Sequence, residues 1–198
     1  MLEPLFSPSA VAVAGASPQA GKLGNIVLRK IVDFEYGGAL YPVNPRADEI
    51  LGLKSYPQVS AVPEPVDLVV ITVGPNAVAD VLLDSARAGV KAAVVLTAGF
   101  REVGPEGAAL ERKIAAIARE AGIRMLGPNC VGVLDTRSRL NATFLRGAAR
   151  PGHIGFMSQS GALGTSMLDW AEQAGIGFSK FASLGNKADI TEVDLLEA

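Results

Sequence analysis

Short apolar runs alternate along this chain with longer segments in which apolar residues return every three or four positions. The longer segments, such as residues 76–88 and 107–121, have the periodicity of amphipathic helices. Runs that are apolar throughout and separated by helices are typical of parallel strands in a sheet covered on both faces. The pattern therefore predicts an α/β fold with a Rossmann-like, doubly wound parallel sheet. Its strands are expected at residues 10–14, 39–43, 66–73, 91–97 and 124–126.

Residues 135–152 interrupt this alternation. They show no clear core strand, and we interpret the segment as a connection between two units. Its basic residues are Arg137, Arg139, Arg146 and Arg150. The connection divides the chain into a predicted first domain at residues 1–148 and a second at 149–198.

The second domain begins with another strand, helix and strand. Strands are expected at residues 153–157 and 178–184, on either side of a helix at 162–174, and a further helix is expected after Thr191. Two strands and one helix would leave apolar faces uncovered. The second domain is therefore expected to be partial, and the chain to be one piece of a larger polypeptide.

The segment 15–25, between the first strand and the first helix, predicts a phosphate-binding turn. A helix N-terminus offers unpaired N–H groups and the positive end of the helix dipole, and glycines allow the backbone to approach a ligand closely. We expect Gly15→Val to abolish binding through a side chain in the space for a diphosphate, with the fold largely intact.

Two details argue against an ordinary NAD site. Ser17 stands where the dinucleotide fingerprint has its second glycine. The second strand ends in Asn44, Pro45 and Arg46 rather than in an acidic residue for the ribose hydroxyl. A guanidinium suits a phosphate on the ribose, which CoA carries at the 3′ position and NADP at the 2′ position. CoA and NADP are both alternatives at this point. A third alternative is that Arg46 is only a solvated loop cation that binds no ligand.

Charge, cysteine and histidine content narrow the classes of function. A net charge of −2 gives no electrostatic footprint for nucleic acid or an anionic membrane. The apolar runs are too short for a membrane span, and the N-terminus does not resemble a signal peptide. A single cysteine, Cys130, excludes an intrachain disulfide and favours a cytoplasmic protein. His153 is the only histidine, so we expect no metal site.

The turn Ser158-Gln159-Ser160-Gly161 lies between a predicted strand and a predicted helix. Its N–H groups would converge on an anion at the helix start, so all four residues are candidates for phosphate binding. A plain helix cap is the alternative. Neither serine is centred in Gly-x-Ser-x-Gly, which argues against a hydrolase nucleophile.

Five segments together resemble the NDP-forming acyl-CoA synthetases, which include the ADP-forming acetate–CoA ligases and, more distantly, the α subunit of succinyl-CoA synthetase. The resemblance extends over essentially the whole chain, and the segments keep their order and spacing. They are Gly15-Ala16-Ser17, Tyr41-Pro42-Val43-Asn44-Pro45, Gly127-Pro128-Asn129-Cys130, Ser158-Gln159-Ser160-Gly161-Ala162 and Ser183-Leu184-Gly185-Asn186-Lys187-Ala188-Asp189.

The resemblance implies a CoA-binding Rossmann-like domain followed by a flavodoxin-like ligase domain. Such enzymes convert acyl-CoA, phosphate and NDP into acid, CoA and NTP by way of a phosphohistidine. That histidine and an ATP-grasp domain or subunit, which binds ATP or ADP and Mg²⁺, would lie outside this chain. We therefore expect no catalytic residue here, CoA or acyl-CoA as ligand, an inactive isolated chain, and an oligomer in the full protein.

The same resemblance assigns candidate residues along the cofactor. It implies a loop at the diphosphate, a basic position near the nucleotide end, residues that flank the adenine and residues that line the path to the thiol. The candidates for CoA are Gly15, Ser17, Pro18, Gln19, Ala20, Lys22, Asn44, Arg46, Val73, Pro75, Thr97, Ala98, Gly99 and Asn129. Two other functions stay open: a CoA-binding regulatory module of a larger protein acetyltransferase, and an NADP-binding oxidoreductase domain.

Overall fold

The computed structural model describes residues 2–145, 147 and 149–197. Strands and helices alternate through most of this range. The helices are α1 (Glu3–Phe6), α2 (Leu23–Asp33), α3 (Pro75–Arg87), α4 (Pro105–Glu120), α5 (Gly161–Ala174) and α6 (Glu192–Leu196). The strands are β1 (Ala10–Ala14), β2 (Ala39–Val43), β3 (Glu49–Ile50), β4 (Leu53–Lys54), β5 (Leu68–Ile71), β6 (Ala92–Val95), β7 (Arg124–Leu126), β8 (Gly132–Asp135), β9 (Leu140–Thr143), β10 (Pro151–Ser158) and β11 (Phe178–Ser183).

Five parallel strands form the first sheet in the order β2-β1-β5-β6-β7. Beyond β2, Tyr56 adds one parallel bridge to Val43, with hydrogen bonds to the backbone of Pro42 and Asn44. β1, β5 and β6 are buried along their whole length, as their apolar sequences require. The predicted α/β class and parallel sheet are confirmed. The order reverses between β1 and β5, and this is where doubly wound sheets bind ligands.

The second sheet corrects the interpretation of residues 135–152 as a connection without a core strand. Its order is β10-β11-β8-β9, with β10 and β11 parallel and the other pairs antiparallel. β9, Leu140–Thr143, is fully buried within the supposed connection. A buried hydrogen bond joins Asn141 and Thr143 there, since the Thr143 hydroxyl donates to Asn141 Oδ1 at 2.7 Å. Arg146 lies outside the described residues.

The extra strands also cover the apolar faces that two strands alone would expose. Val133 of β8 and Ala142 of β9 belong to the same buried cluster as Val11 of β1 and Leu28 of α2. Because β9 packs on α2, the two sheets share part of one hydrophobic core. The second sheet thus takes strands from both sides of residue 148, and a domain boundary there stays a prediction. None of the helices in the described ranges is long and apolar enough to cross a membrane.

Candidate functional site

A groove runs along the carboxyl ends of the first sheet. It consists of two adjoining clefts, of about 340 and 610 Å³, and Val73 lines both. The first cleft lies at the ends of β1 and β2, where Ala14, Gly15 and Val43 contribute. The second extends past β5 and β6 to the start of α5. Together the two clefts therefore reach from the point in the first sheet where the strand order reverses as far as the second sheet.

The first cleft has mainly apolar walls. Pro45, Pro57, Val59 and Val81 line it together with Val73. A flat aromatic group is suited to such walls because it buries apolar surface on both faces.

Asp84 of α3 holds the outer wall of the first cleft in place. One carboxylate oxygen accepts the Val59 N–H at 2.7 Å, and the other accepts the Ser60 hydroxyl at 2.6 Å. Burial alone would raise the pKa of Asp84, but these bonds and the nearby Arg87 guanidinium lower it below its ordinary value. Asp84 therefore stays ionised and fixes the wall.

Gly15 and Gly24 allow helix α2 to pack directly on the turn after β1. Gly15 has a φ of +91°, and a Cβ there would lie 2.6 Å from Thr72 Oγ1. A Cβ on Gly24 would overlap the carbonyl oxygen of Gly15. The expectation that Gly15→Val would spare the fold is therefore wrong, because Thr72 and Val73 already fill the space that a side chain would need.

Two asparagine amides hold the turn that precedes α2. Asn25 Nδ2 donates to the Ser17 carbonyl at 2.8 Å, and Asn44 Nδ2 donates to the Ala16 carbonyl at 2.7 Å. Asn44 Oδ1 also accepts the Arg46 N–H at 2.8 Å. Asn44 is a predicted CoA residue, but both polar atoms of its side chain form hydrogen bonds with backbone groups. Asn25 was missed, and a polar residue on the buried stripe of a helix was the signal for it.

Among the described residues, the turn itself leaves N–H donors without partners and two cations at the surface. The Ser17 hydroxyl accepts the Gln19 N–H at 3.1 Å. Within the described ranges no partner is found for the N–H groups of Ala20, Leu23 and Gly24. Lys22 and Arg46 are exposed. An anion at this turn would meet free N–H groups at a helix start together with positive charge.

The second cleft unites residues that the sequence predicted separately. Thr97, Ala98 and Asn129, from the ends of β6 and β7, line it together with Gln159 and Gly161 from the start of α5. The Thr97 hydroxyl donates to the Val73 carbonyl at 2.7 Å and therefore fixes the loop. Other predicted residues do not line either cleft: Ser17, Pro18, Gln19, Ala20, Lys22, Asn44, Arg46, Pro75, Gly99, Ser158 and Ser160.

Cys130 lies in the wall of the second cleft but is buried. Its Sγ lies 3.3 Å from the Val95 carbonyl, to which the thiol donates. Burial raises the pKa of this thiol to about 12. Because a neutral, buried thiol is a poor nucleophile, Cys130 is a packing residue.

The turn before α5 combines a helix cap with free donors. Ser160 is the N-cap, and its hydroxyl accepts the Leu163 N–H at 3.2 Å. The Ser158 hydroxyl accepts the Ser160 N–H at 3.1 Å. The N–H groups of Gly161 and Ala162 have no partner among the described residues. The cap interpretation is therefore correct for Ser160, and phosphate binding by the turn stays a prediction.

A chain of polar side chains leads from the second cleft to α4. Asn129 Nδ2 donates to Asn186 Oδ1 at 3.3 Å, and Asn186 Nδ2 donates to Glu102 Oε2 and Glu111 Oε2, both at 2.7 Å. Glu102 Oε1 also accepts the N–H groups of Gly99 and Phe100. Burial tends to raise the pKa of Glu102, but these hydrogen bonds outweigh it and the pKa is lowered.

The single histidine lies apart from this groove. His153 is exposed on β10, beside Asp135 and Lys180. Within the described residues, no group of three or more His, Cys, Asp or Glu side chains is placed to hold a metal ion.

Comparison with known proteins gives two family matches. The CoA binding domain family matches residues 9–136, and the succinyl-CoA ligase like flavodoxin domain matches residues 151–198. Among curated proteins, the chain is 47% identical over 196 residues to an acetate–CoA ligase (ADP-forming) I of Archaeoglobus fulgidus. It is 44% identical over 197 residues to the α subunit of acetate–CoA ligase (ADP-forming) II of Pyrococcus furiosus.

The solved structures give the same picture. The apo form of a dinucleotide-forming acetyl-coenzyme A synthetase 1 of Ca. Korarchaeum cryptofilum superposes with a TM-score of 0.96 at 47% identity, covering all of this chain and 43% of that one. The two curated relatives are covered to 28% and 43% of their length, and this chain to 99% and 100%. The chain thus spans less than half the length of these proteins.

Proposed function

The chain belongs to the CoA-binding domain family of the ADP-forming acid–CoA ligases, and from that premise we propose that it is the part of such a ligase that holds CoA. The resemblance carried by the five sequence segments is confirmed by the family matches and by the identities above. The proposal concerns which parts of CoA the groove takes and what the rest of the enzyme adds.

The observation that carries the proposal is a pair of neighbouring clefts of different character that share Val73 in their walls. CoA has a flat adenine at one end and a reactive thiol on a long pantetheine arm at the other. The apolar cleft of about 340 Å³ suits the adenine. The larger cleft, which reaches the start of α5 in the second unit, suits the arm and the thiol. Val73 lines both clefts, so they are neighbours, and CoA would pass Val73 to reach from one into the other.

The turn before α2 would hold the diphosphate. The free N–H groups of Ala20 and Leu23 would be donors for its oxygens, and Ser17, Pro18, Gln19 and Lys22 would complete the turn. Arg46 would bind the 3′-phosphate, since its guanidinium is exposed and its backbone is fixed by Asn44. Thr97, Ala98 and Gly99 would form the loop beside the arm, and Pro75 would support it, because its ring lies where a side chain on Gly99 would extend.

The second cleft would place the thiol of CoA where an acyl group is exchanged. Bound CoA supplies the thiol that accepts and releases the acyl group. The chain would orient the arm, and the buried Cys130 would shape the wall without reacting.

Phosphoryl transfer would belong to other parts of the enzyme. We expect an ATP-grasp domain or subunit to bind ATP or ADP and Mg²⁺, and a phosphohistidine outside these 198 residues to carry the phosphoryl group. The turn Ser158-Gln159-Ser160-Gly161 would face that group and would also take inorganic phosphate, through the N–H groups of Gly161 and Ala162. The full protein would be an oligomer in the cytoplasm, a compartment that suits a single free cysteine.

Calorimetry with CoA, dephospho-CoA and NADPH tests the proposal. A charge-assisted hydrogen bond contributes about 1.5–3 kcal/mol, so Arg46→Ala should weaken CoA about ten- to a hundredfold and leave dephospho-CoA nearly unchanged. Arg119→Ala, an exposed arginine on α4, is the matched control and should change neither. Tight NADPH binding with no CoA binding would contradict the proposal and favour an oxidoreductase domain.

A second experiment tests the division of labour. The 198-residue chain, incubated with acetyl-CoA and labelled phosphate or with labelled ATP, should stay unlabelled. Stable label on His153 would contradict this expectation directly.

A further inference from the structure

The polar chain behind the second cleft fixes the orientation of each amide in it. Asn186 lies in the loop after β11 and is only 7% exposed. Its Nδ2 group has two hydrogens, and both are used, one on Glu102 and one on Glu111. Carboxylates accept hydrogen bonds and do not donate them when ionised. Asn186 must therefore turn its NH₂ group toward the two carboxylates and its Oδ1 toward Asn129.

The orientation of Asn186 in turn decides the orientation of Asn129. Asn186 Oδ1 can only accept, so Asn129 presents its Nδ2 to it, at 3.3 Å. The Oδ1 of Asn129 is then left over, and no donor to it is found in the described part of the chain. Asn129 itself lines the second cleft. The side chain of Asn129 thus offers this cleft an acceptor. Its orientation is decided by Glu102 and Glu111, which act on it through Asn186.

We propose that Glu102, Glu111 and Asn186 are positioning residues that make Asn129 a hydrogen-bond acceptor for a donor group on the pantetheine arm of CoA. This inference rests on the proposed function, because it names a contact inside the CoA groove. The arm carries two amide N–H groups, one secondary hydroxyl and one thiol, and the chemistry they share is that of a hydrogen-bond donor.

The hydrogen-bonded side chains of Glu102, Glu111, Asn186 and Asn129 form what we call the relay. Glu102 connects this relay to the second cleft a second time, through the loop backbone. Its Oε1 accepts the N–H of Gly99 at 2.5 Å and that of Phe100 at 3.1 Å, while its Oε2 accepts from Asn186. The loop beside Thr97 and the amide of Asn129 are therefore fixed by one carboxylate. Glu111 is held in turn by Arg101, whose N–H and guanidinium face it at 3.3 and 3.6 Å.

Replacing both carboxylates by amides should reverse the relay. In Glu102→Gln/Glu111→Gln the amide oxygen at residue 102 stays on the N–H groups of Gly99 and Phe100, so its new NH₂ group faces Asn186. Asn186 satisfies this group by turning its Oδ1 toward it, and the amide at residue 111, which can present either its oxygen or its NH₂ group, then donates to the same Oδ1. Asn186 Nδ2 would then face Asn129, and Asn129 would present its own NH₂ group to the cleft. Two donors would meet, so CoA should bind about three- to tenfold more weakly, the effect of one lost hydrogen bond.

A third substitution should rescue the reversed relay. Asn129→Asp supplies an acceptor on both sides, which matches the turned Asn186 and restores an acceptor to the cleft. In the double variant it should recover most of the lost CoA affinity. With the original carboxylates, the same substitution places a carboxylate against Asn186 Oδ1 and should weaken CoA. The sign of the effect therefore depends on the background, which a purely structural role does not predict.

The measurements are calorimetric titrations with CoA, desulfo-CoA and 3′-phospho-ADP, which is the nucleotide half of CoA. All variants should bind 3′-phospho-ADP as the unchanged chain does. Loss with desulfo-CoA as well as with CoA identifies an amide N–H or the hydroxyl of the arm as the donor, whereas loss with CoA alone identifies the thiol.

The outcomes separate the two levels of the proposal. If the unchanged chain does not bind CoA, the proposed function fails. If it binds CoA but Asn129→Asp has the same effect in both backgrounds, the relay is overturned. If the double variant loses 3′-phospho-ADP binding, the single variants Glu102→Gln and Glu111→Gln are tested in its place. Unchanged CoA affinity in both single variants overturns the relay.

Discussion

The amide of Asn25, in the first turn of α2, donates a 2.8 Å hydrogen bond to the carbonyl oxygen of Ser17. Asn25 is only 2% exposed, so this bond is made away from competing water. It closes the turn 17–25 on the helix that follows it. The loop geometry therefore depends on a buried side chain that would not touch the ligand.

Asn25→Leu should consequently weaken CoA binding. The substitution preserves approximate volume but leaves the Ser17 carbonyl without its donor, which costs about 1–3 kcal/mol. We expect a lower melting temperature and a CoA dissociation constant raised at least tenfold in calorimetry. Asn141→Leu is the control, since Asn141 is equally buried but lies in β9 and bonds Thr143. An equal loss of CoA binding in both variants would show that the effect is only general instability.

Gly24→Ala should disrupt the contact between α2 and the turn after β1. A Cβ at Gly24 overlaps the Gly15 carbonyl oxygen, so the helix start must move away from the strand. We expect a melting temperature lower by several degrees and loss of measurable CoA binding. Gly37→Ala is the matched control, because no heavy atom lies within 4 Å of a Cβ there and its φ is not in the left-handed region. It should leave binding unchanged.

The thiol of Cys130 should make the chain less stable in alkali. Its pKa rises from 9.0 to about 12 on folding because the thiol is buried. Below pH 9 both the folded and unfolded states hold the proton, and above it the unfolded state loses the proton first. The free energy of unfolding should therefore fall between pH 9 and 12 by up to about 1.4 kcal/mol per pH unit.

Cys130→Ala isolates this contribution. Tyr36, whose pKa is also raised to about 12, chiefly by burial, titrates in the same range and remains in the variant. Denaturant unfolding of both chains at several pH values should show a shallower alkaline decline for the variant. Parallel curves would contradict the assignment. At pH 8 the native thiol should also resist alkylation until the chain is unfolded.

Arg124 should hold α6 against the first sheet. Its guanidinium lies 3.2 Å from Asp189 and 2.8 Å from Asp194, and its hydrogen bond is the main cause that holds the pKa of Asp194 far below its ordinary value. Arg124→Met should therefore speed hydrogen exchange in Glu192–Leu196. Arg139→Met, which breaks a highly exposed pair with Glu35, should change exchange little. Unchanged exchange in α6 would contradict the role of Arg124.

Local chemistry explains why the main elements could be predicted from the sequence. Fully apolar runs as short as Ala10–Ala14 and Leu68–Ile71 are typical of buried strands, and the segments between them have helical periodicity. The motifs at their ends then had to meet at one edge of the sheet. β9 escaped detection because two of its four residues, Asn141 and Thr143, are polar and only their mutual hydrogen bond in the fold allows them to be buried there. In the sequence their polarity resembled that of a solvated loop.

The sequence by itself determined the fold class, the family and the edge of the sheet where CoA is expected. Only the tertiary structure decided how side chains are held there, since their partners are remote in the chain. Asn129 meets Asn186 across 57 residues, and Asn186 meets Glu102 across 84. Hydrophobic periodicity carries no information on such pairs, because a hydrogen bond depends on the positions and orientations of two groups that only folding brings together.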